Sequence, residues 1–178
     1  MGDHARKYTD TINICALNLS GASLSDERCL NSIKQYLIDY HVPPELVCFE
    51  ITETAAVANL NIATKFIKEL KSLGCEFALN DFGSGLSSFG YLKNLPVDYL
   101  KIDGAFVKDM DTNTVDSAMV ESINSIGHVM GLKTIAEFVE NEAILEILES
   151  MGVDYAQGYH IDLPRPLEQM EGVVFMPR

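Results

Sequence analysis

Basic residues are scarce in this sequence: 13 Lys and Arg stand against 26 Asp and Glu, a formal net charge of −13 over 178 residues. That balance argues against a broad face for DNA or RNA polymers or for anionic lipid, since both are held by clustered positive charge. A small anionic substrate remains open if a metal cation is its direct contact. Long apolar runs are also missing. None approaches the ~18 residues that cross a bilayer, and the start lacks the charged-then-apolar pattern of a secretory signal. No membrane insertion by this chain and a cytoplasmic location are therefore expected. Cysteine is limited to Cys15, Cys29, Cys48 and Cys75, with no Cys-x-x-Cys. Each falls in an apolar-patterned segment, which predicts buried free thiols rather than disulfides or zinc ligands.

What is present is core material. Hydrophobic residues make up 47% of the chain, ample for one domain. Residues 1–10 are polar and irregular and are set aside as a tail or tag remnant, leaving 11–178 as the domain. Six β-rich runs follow in order: Ile12 to Leu19, Val47 to Ile51, Cys75 to Leu79, Asp98 to Asp103, Lys133 to Ala136 and Val153 to Ala156. Between them lie helical stripes. One carries Leu30, Ile33, Leu37 and Tyr40, a second Ile62, Phe66, Leu70 and Leu73, a third Val115, Met119, Ile123, Ile126 and Met130, and a fourth Ile144, Ile147, Leu148 and Met151. A short helical segment is expected around Ser88 to Asn94. Strands alternating with helices over short connections predict a parallel α/β fold. A closed eightfold barrel usually needs about 250 residues, so the pattern fits either an open doubly wound sheet or a barrel lacking its first strands.

Each strand run ends in a polar group: Asn18, Glu53, Asn80 with Asp81, Lys101 with Asp103, Glu137 and Gln157. Taken singly, these read as turn residues or helix caps. Their repetition at one end of successive parallel strands is informative, because that end carries the functional loops. Carboxylate and carboxamide oxygens suit a hard divalent ion such as Mg²⁺ or Mn²⁺, and a lysine among them suits an anionic substrate.

These residues resemble the EAL domains of bacterial cyclic-di-GMP signalling. The likeness runs from about Ile14 to Pro166 and rests on Asn18-Leu19-Ser20, Glu50-Ile51-Thr52-Glu53, Asp81-Phe82-Gly83-Ser84-Gly85-Leu86, Leu95-Pro96-Val97-Asp98-Tyr99-Leu100-Lys101-Ile102-Asp103, Ala136-Glu137 and Gln157-Gly158-Tyr159. The resemblance implies a (β/α)₈ TIM-barrel-like fold, incomplete here with about six strands. It implies an active site in which two metal ions, Mg²⁺ or Mn²⁺, assist hydrolysis of cyclic-di-GMP to pGpG. Asn18, Glu53, Asp81 and Asn80 then match metal-site positions, Lys101 and Glu137 catalytic ones, and Gln157 and Asp103 substrate-binding ones. The glycine-rich loop Gly83 to Ser88 is expected to move with ligand or dimer state.

Two departures point to weak or absent activity. Nothing before Asn18 matches the Glu-Ala-Leu strand that names the family, and Asn80 stands where the first acid of an Asp-Asp pair is usual. Phe138 replaces a usual glycine, and Asn141 a usual threonine. His160 is expected to be a packing residue. The alternative class is a non-enzymatic module that binds cyclic-di-GMP or mediates dimerisation in a larger signalling protein. A homodimer and neighbouring signalling domains are the expected partners.

Overall fold

The computed structural model describes residues 14–83 and 89–166. The expectations for the 1–10 tail and for movement of Ser84 to Ser88 lie outside those residues. Six strands form one parallel sheet in chain order: β1 (Cys15–Leu19), β2 (Val47–Thr52), β3 (Glu76–Phe82), β4 (Tyr99–Ile102), β5 (Lys133–Ala136) and β6 (Tyr155–Ala156). The helices are α1 (Gly21–Leu24), α2 (Glu27–Asp39), α3 (Glu53–Ala58), α4 (Leu60–Lys71), α5 (Gly104–Val107), α6 (Thr114–Val129) and α7 (Glu142–Met151). Between Ser88 and Asn94 only a short 3₁₀ turn, Leu92–Asn94, is formed among the described residues.

Strand order decides between the two architectures that the sequence leaves open. A sheet built in the order 1 to 6 by crossovers of one hand carries its helices on one face, whereas a doubly wound sheet must reverse and carry them on both. The fold is therefore an open arc of the (β/α)₈ type, in which β1 and β6 each pair with one strand among the described residues. Side-chain alternation follows. Phe49, Ile51, Phe77, Leu79, Leu100 and Ile102 point to the helices and are buried in the main core. The opposite, concave face has a much smaller apolar cluster of Cys48, Ala78 and Tyr99 with Ile135. Its remaining positions are free for polar groups.

Local signals set the helix ends. Asn141 accepts from the Ile144 amide at 2.9 Å to cap α7, and Gly152 closes that helix at φ 71°. The helix stripes lie one position away from expectation in two places. In α4 the buried residues are Ala63, Phe66, Ile67 and Leu70, while Ile62 and Leu73 are exposed. In α6 they are Val120, Ile123, Asn124 and Gly127, and Val115 and Met119 face outward. The reason is close packing on β5: a Cβ at Gly127 would fall 2.8 Å from Thr134 Cγ2, so the helix meets the strand through its smallest residue. Asn124 is buried beside it, accepting from the Thr134 hydroxyl at 2.6 Å and donating to the Met151 carbonyl at 2.9 Å.

All four cysteines are free, but only Cys48 and Cys75 are buried, their thiols pushed by burial up to about 12 and about 11. Cys15 is exposed, contrary to expectation, because β1 is an edge strand with little packed over it.

Asp154 ties the lower ends of β5 and β6 to α6. Its carboxylate accepts from the Thr134 amide and from His128 Nε2, each at 2.8 Å. Burial alone would raise its pKa, yet the hydrogen bonds from Thr134 and His128 outweigh that and hold it below the usual carboxylate range. A depressed carboxyl contributes stability that is complete above its unfolded pKa of about 3.9 and is lost as pH falls through the lower folded value. Asp154→Asn is expected to cost about 1 kcal/mol at pH 7. Urea unfolding should show that gap closing below about pH 4.

Candidate active site

At the C-terminal end of the concave face, strand alternation gathers side chains from neighbouring strands. Glu50 of β2 lies beside Asn18 of β1 in register, and Thr52 lies beside Asn80 of β3. Lys101 of β4 faces away from the aliphatic core, as its alternation with Leu100 and Ile102 predicts. It is buried there between two carboxylates, with Nζ 2.9 Å from Glu50 Oε1 and 2.8 Å from Glu137 Oε1. Burial alone would lower the pKa of this ammonium. The hydrogen bonds and charges of Glu137 and Glu50 reverse the sign and hold it above the ordinary lysine value. The cluster is therefore one cation shared by two carboxylates, with each carboxylate left a second oxygen.

Glu50 is the residue that sequence reasoning passed over. In Glu50-Ile51-Thr52-Glu53, Thr52 ends the strand and caps α3, accepting from the Ala55 amide at 3.3 Å. Glu53 thus becomes the first residue of a helix and leaves the strand's alternation. Its carboxylate turns to the next loop, accepting from the Tyr91 hydroxyl at 2.6 Å and the Gly83 amide at 3.4 Å. Burial and this carboxylate push the Tyr91 phenol far above its ordinary pKa. Glu53 braces the β3 exit, and Glu50 meets Lys101. Counting by twos from Cys48 would have found this, since Cys48, Glu50 and Thr52 share a face.

The β3 end is irregular. Its pairing with β4 shifts register between Leu79 and Phe82, and Asp81 there adopts φ 58°. A left-handed non-glycine residue at a bulge re-aims the strand end. Asn80 Oδ1 is buried and has no hydrogen-bond partner among the described residues. Asp103 sits at the end of β4, but its carboxylate is used by its own backbone, accepting from the Ala105 amide at 2.8 Å to cap α5. Gln157 is exposed at the end of β6, where its backbone N–H donates to the Ala136 carbonyl at 2.8 Å. His160, expected to pack, instead lies 2.8 Å from Glu142 Oε2.

Among the described residues, no group of three or more His, Cys, Asp or Glu side chains is gathered as a metal cage. The donor set is nonetheless chemically suited to one. An orphaned carboxamide oxygen at Asn80, the Glu50 carboxylate and the Asn18 carboxamide beside it are hard oxygen donors on three adjacent strands. A buried oxygen without a partner is costly unless something meets it. A divalent cation would do so.

Comparison with known proteins identifies the family of the fold. The family model for the EAL domain matches residues 1–164. The cyclic di-GMP phosphodiesterase PdeB of Shewanella oneidensis is 49% identical over 152 residues, which is 85% of this chain and 18% of that protein. The chain thus spans about a fifth of such relatives. Among solved structures, the EAL domain of Mycobacterium smegmatis DcpA superposes with a TM-score of 0.89 at 28% identity, covering 99% of this chain and 81% of that one. The EAL domain of Pseudomonas aeruginosa FimX, solved bound to c-di-GMP, gives 0.80 at 32% identity, covering 85% and 62%.

Proposed function

This chain belongs to the EAL-domain family, and from that premise we propose that the C-terminal rim of its concave face is a cyclic-di-GMP site of the phosphodiesterase type, with weak turnover in this chain. The observation that carries the reading is the buried Lys101, held between Glu50 and Glu137, with the Asn80 oxygen of the adjacent strand lacking a hydrogen-bond partner among the described residues. In a protein of net charge −13, a dianionic dinucleotide needs cations at its phosphates, and this rim is built to hold them. Asn18, Glu53, Asn80 and Asp81, with Glu50 beside Asn18, are the residues proposed to hold Mg²⁺ or Mn²⁺. When bound, such ions acidify a water and neutralise phosphoryl oxygens.

The side chains do the rest. Lys101 donates toward the attacked phosphate and offsets the charge that develops there. Glu137 fixes the lysine and is the nearest carboxylate able to take a proton. Asp103 and Gln157 line the approach. Asn80 contributes a neutral oxygen where a carboxylate would bind a cation more tightly, which is why turnover is expected to be slow. The same observation favours a second reading, a module that binds cyclic-di-GMP without cleaving it.

One titration separates these readings. Cyclic-di-GMP is expected to bind in the presence of Mn²⁺, with slow release of pGpG. Binding without any pGpG supports the second reading, and no binding with either cation sinks both. The two sheet edges each lack a second partner strand among the described residues, which favours association with a second copy. No described helix is long and apolar enough to cross a membrane, and a cytoplasmic signalling protein with further domains is the proposed setting.

A further inference from the structure

Positive charge, scarce in the chain as a whole, is gathered on one helix. α4 carries Lys65, Lys68 and Lys71 against Glu69 alone and is the one helix with a net positive charge among the described residues, whereas α7 carries Glu142, Glu146 and Glu149 and no basic residue. Lys71 is used within the fold, paired with Asp98 at 2.5 Å. Lys65 and Lys68 are not. The Lys65 ammonium stands 3.9 Å from Glu27 with both side chains largely exposed, a pairing worth little, and Lys68 makes no ion pair among the described residues. With Asn61 and Ser72 these lysines follow spacings of four, three and four, which sets all four on one outward row. A net charge of −13 already serves solubility and does not account for them.

The row borders a groove. α2 and α4 are tied by Glu27 with Lys65 and by Lys34 with Glu69 at 2.5 Å, and beside these pairs lies a hollow of about 370 Å³. Leu24, Leu30 and Phe66 form its floor and Ile62 its edge. Ile62 is 45% exposed, although its place on the apolar stripe predicts burial. An aliphatic side chain open at the lip of an apolar floor, next to two uncommitted ammonium groups, is the layout of a groove that receives an amphipathic helix.

We propose that the groove between α2 and α4 is a docking site for an acidic amphipathic helix of a partner protein domain, its apolar face laid on Leu30, Ile62 and Phe66 and its carboxylates met by Lys65 and Lys68. Charge complementarity selects an acidic occupant, and Glu69 does not oppose it because Lys34 already holds that carboxylate. The chain's own acidic helix does not qualify, since Ile144 and Leu148 of α7 are buried in the core and leave no apolar face to offer. The groove lies in the helix layer, on the opposite side of the sheet from Lys101.

The test uses the whole chain and a labelled synthetic helical peptide with leucines at i, i+3, i+4 and i+7 between two rows of glutamate. Fluorescence anisotropy is expected to show saturable binding at about 0.05 M salt that weakens roughly tenfold at about 0.5 M, where surface charges are screened. Lys68→Glu, at an exposed position without an ion pair, should leave Tm where it is and lower affinity roughly tenfold at the lower salt. Ile62→Ser should weaken binding at both salt concentrations. A scrambled peptide of the same composition, acidic but without an apolar face, should bind at least about tenfold more weakly. Binding unchanged by both variants, equal binding of the scrambled peptide, or no saturable binding overturns the proposal. So does self-association of the chain that Lys68→Glu abolishes, which would give the groove to a second copy.

Discussion

Lys101→Ala is expected to destabilise the protein by about 3–5 kcal/mol, the usual cost of removing one member of a buried ion cluster, and to abolish turnover. The argument is one of uncompensated charge. Lys101 is 2% exposed, and both Glu50 and Glu137 direct an oxygen to it at under 3 Å. Removing the ammonium leaves two largely desolvated carboxylates facing one another across the gap. They must repel, protonate or draw in water, and each of these is unfavourable in the fold. For a domain of this size the loss corresponds to roughly 6–20 °C in Tm. Two further measurements separate this cause from simple loss of packing. Glu50→Gln in the Lys101→Ala background should recover part of the loss, because it removes one of the stranded charges. Mn²⁺ should raise the Tm of Lys101→Ala more than that of the parent, since a cation can replace the lost positive charge. A Lys101→Ala protein as stable as its parent would mean that the cluster is not an electrostatic unit.

Asn80→Asp is expected to raise Mn²⁺-dependent hydrolysis of cyclic-di-GMP at least about tenfold, the lower end of what even a supporting group around a metal typically contributes. Asn80 already presents a buried oxygen that meets no donor among the described residues. A carboxylate at the same atom position adds charge and a second oxygen, the change that a hard cation rewards. The variant has a distinctive stability signature as well. Without metal, another negative charge next to the β2 strand end should lower Tm. With Mn²⁺ the order should reverse, because ligand bound only to the folded state adds stability in proportion to its concentration over Kd. An increase in turnover without that metal-dependent reversal would place the effect of Asn80 elsewhere than in cation binding. No increase at all would remove Asn80 as the cause of slow turnover.

Legibility in the sequence followed the physics of each element. Lys101 was readable because Leu100 and Ile102 flank it in an unbroken alternation, and a strand of period two leaves no freedom in which way the lysine points. The cap at Asn141 and the left-handed stop at Gly152 each depend on a few consecutive residues, although Asn141 entered the sequence reading only as a replacement for a usual threonine. The face of α6 was not readable from its apolar stripe. Its contact with β5 runs through Gly127 and Asn124, chosen for closeness and for hydrogen bonding to Thr134 rather than for hydrophobicity. Where Glu50 and Glu53 each point hinged on where β2 stops. A capping threonine moved the second acid out of the strand and onto a brace with Tyr91.

By itself the sequence determined the family, the parallel α/β class, the order of strands and helices, and the set of polar residues at the strand ends, because these follow from local periodicity, caps and motif order. Tertiary structure alone decided that the sheet winds in one direction, that Glu50 and Glu137 share Lys101, that the Asn80 oxygen meets no hydrogen-bond partner among the described residues, and that Phe138 rests on Gly104. Each of these depends on how segments far apart in the chain come together, set by register and by how closely two backbones can approach, and no window of neighbouring residues contains that information.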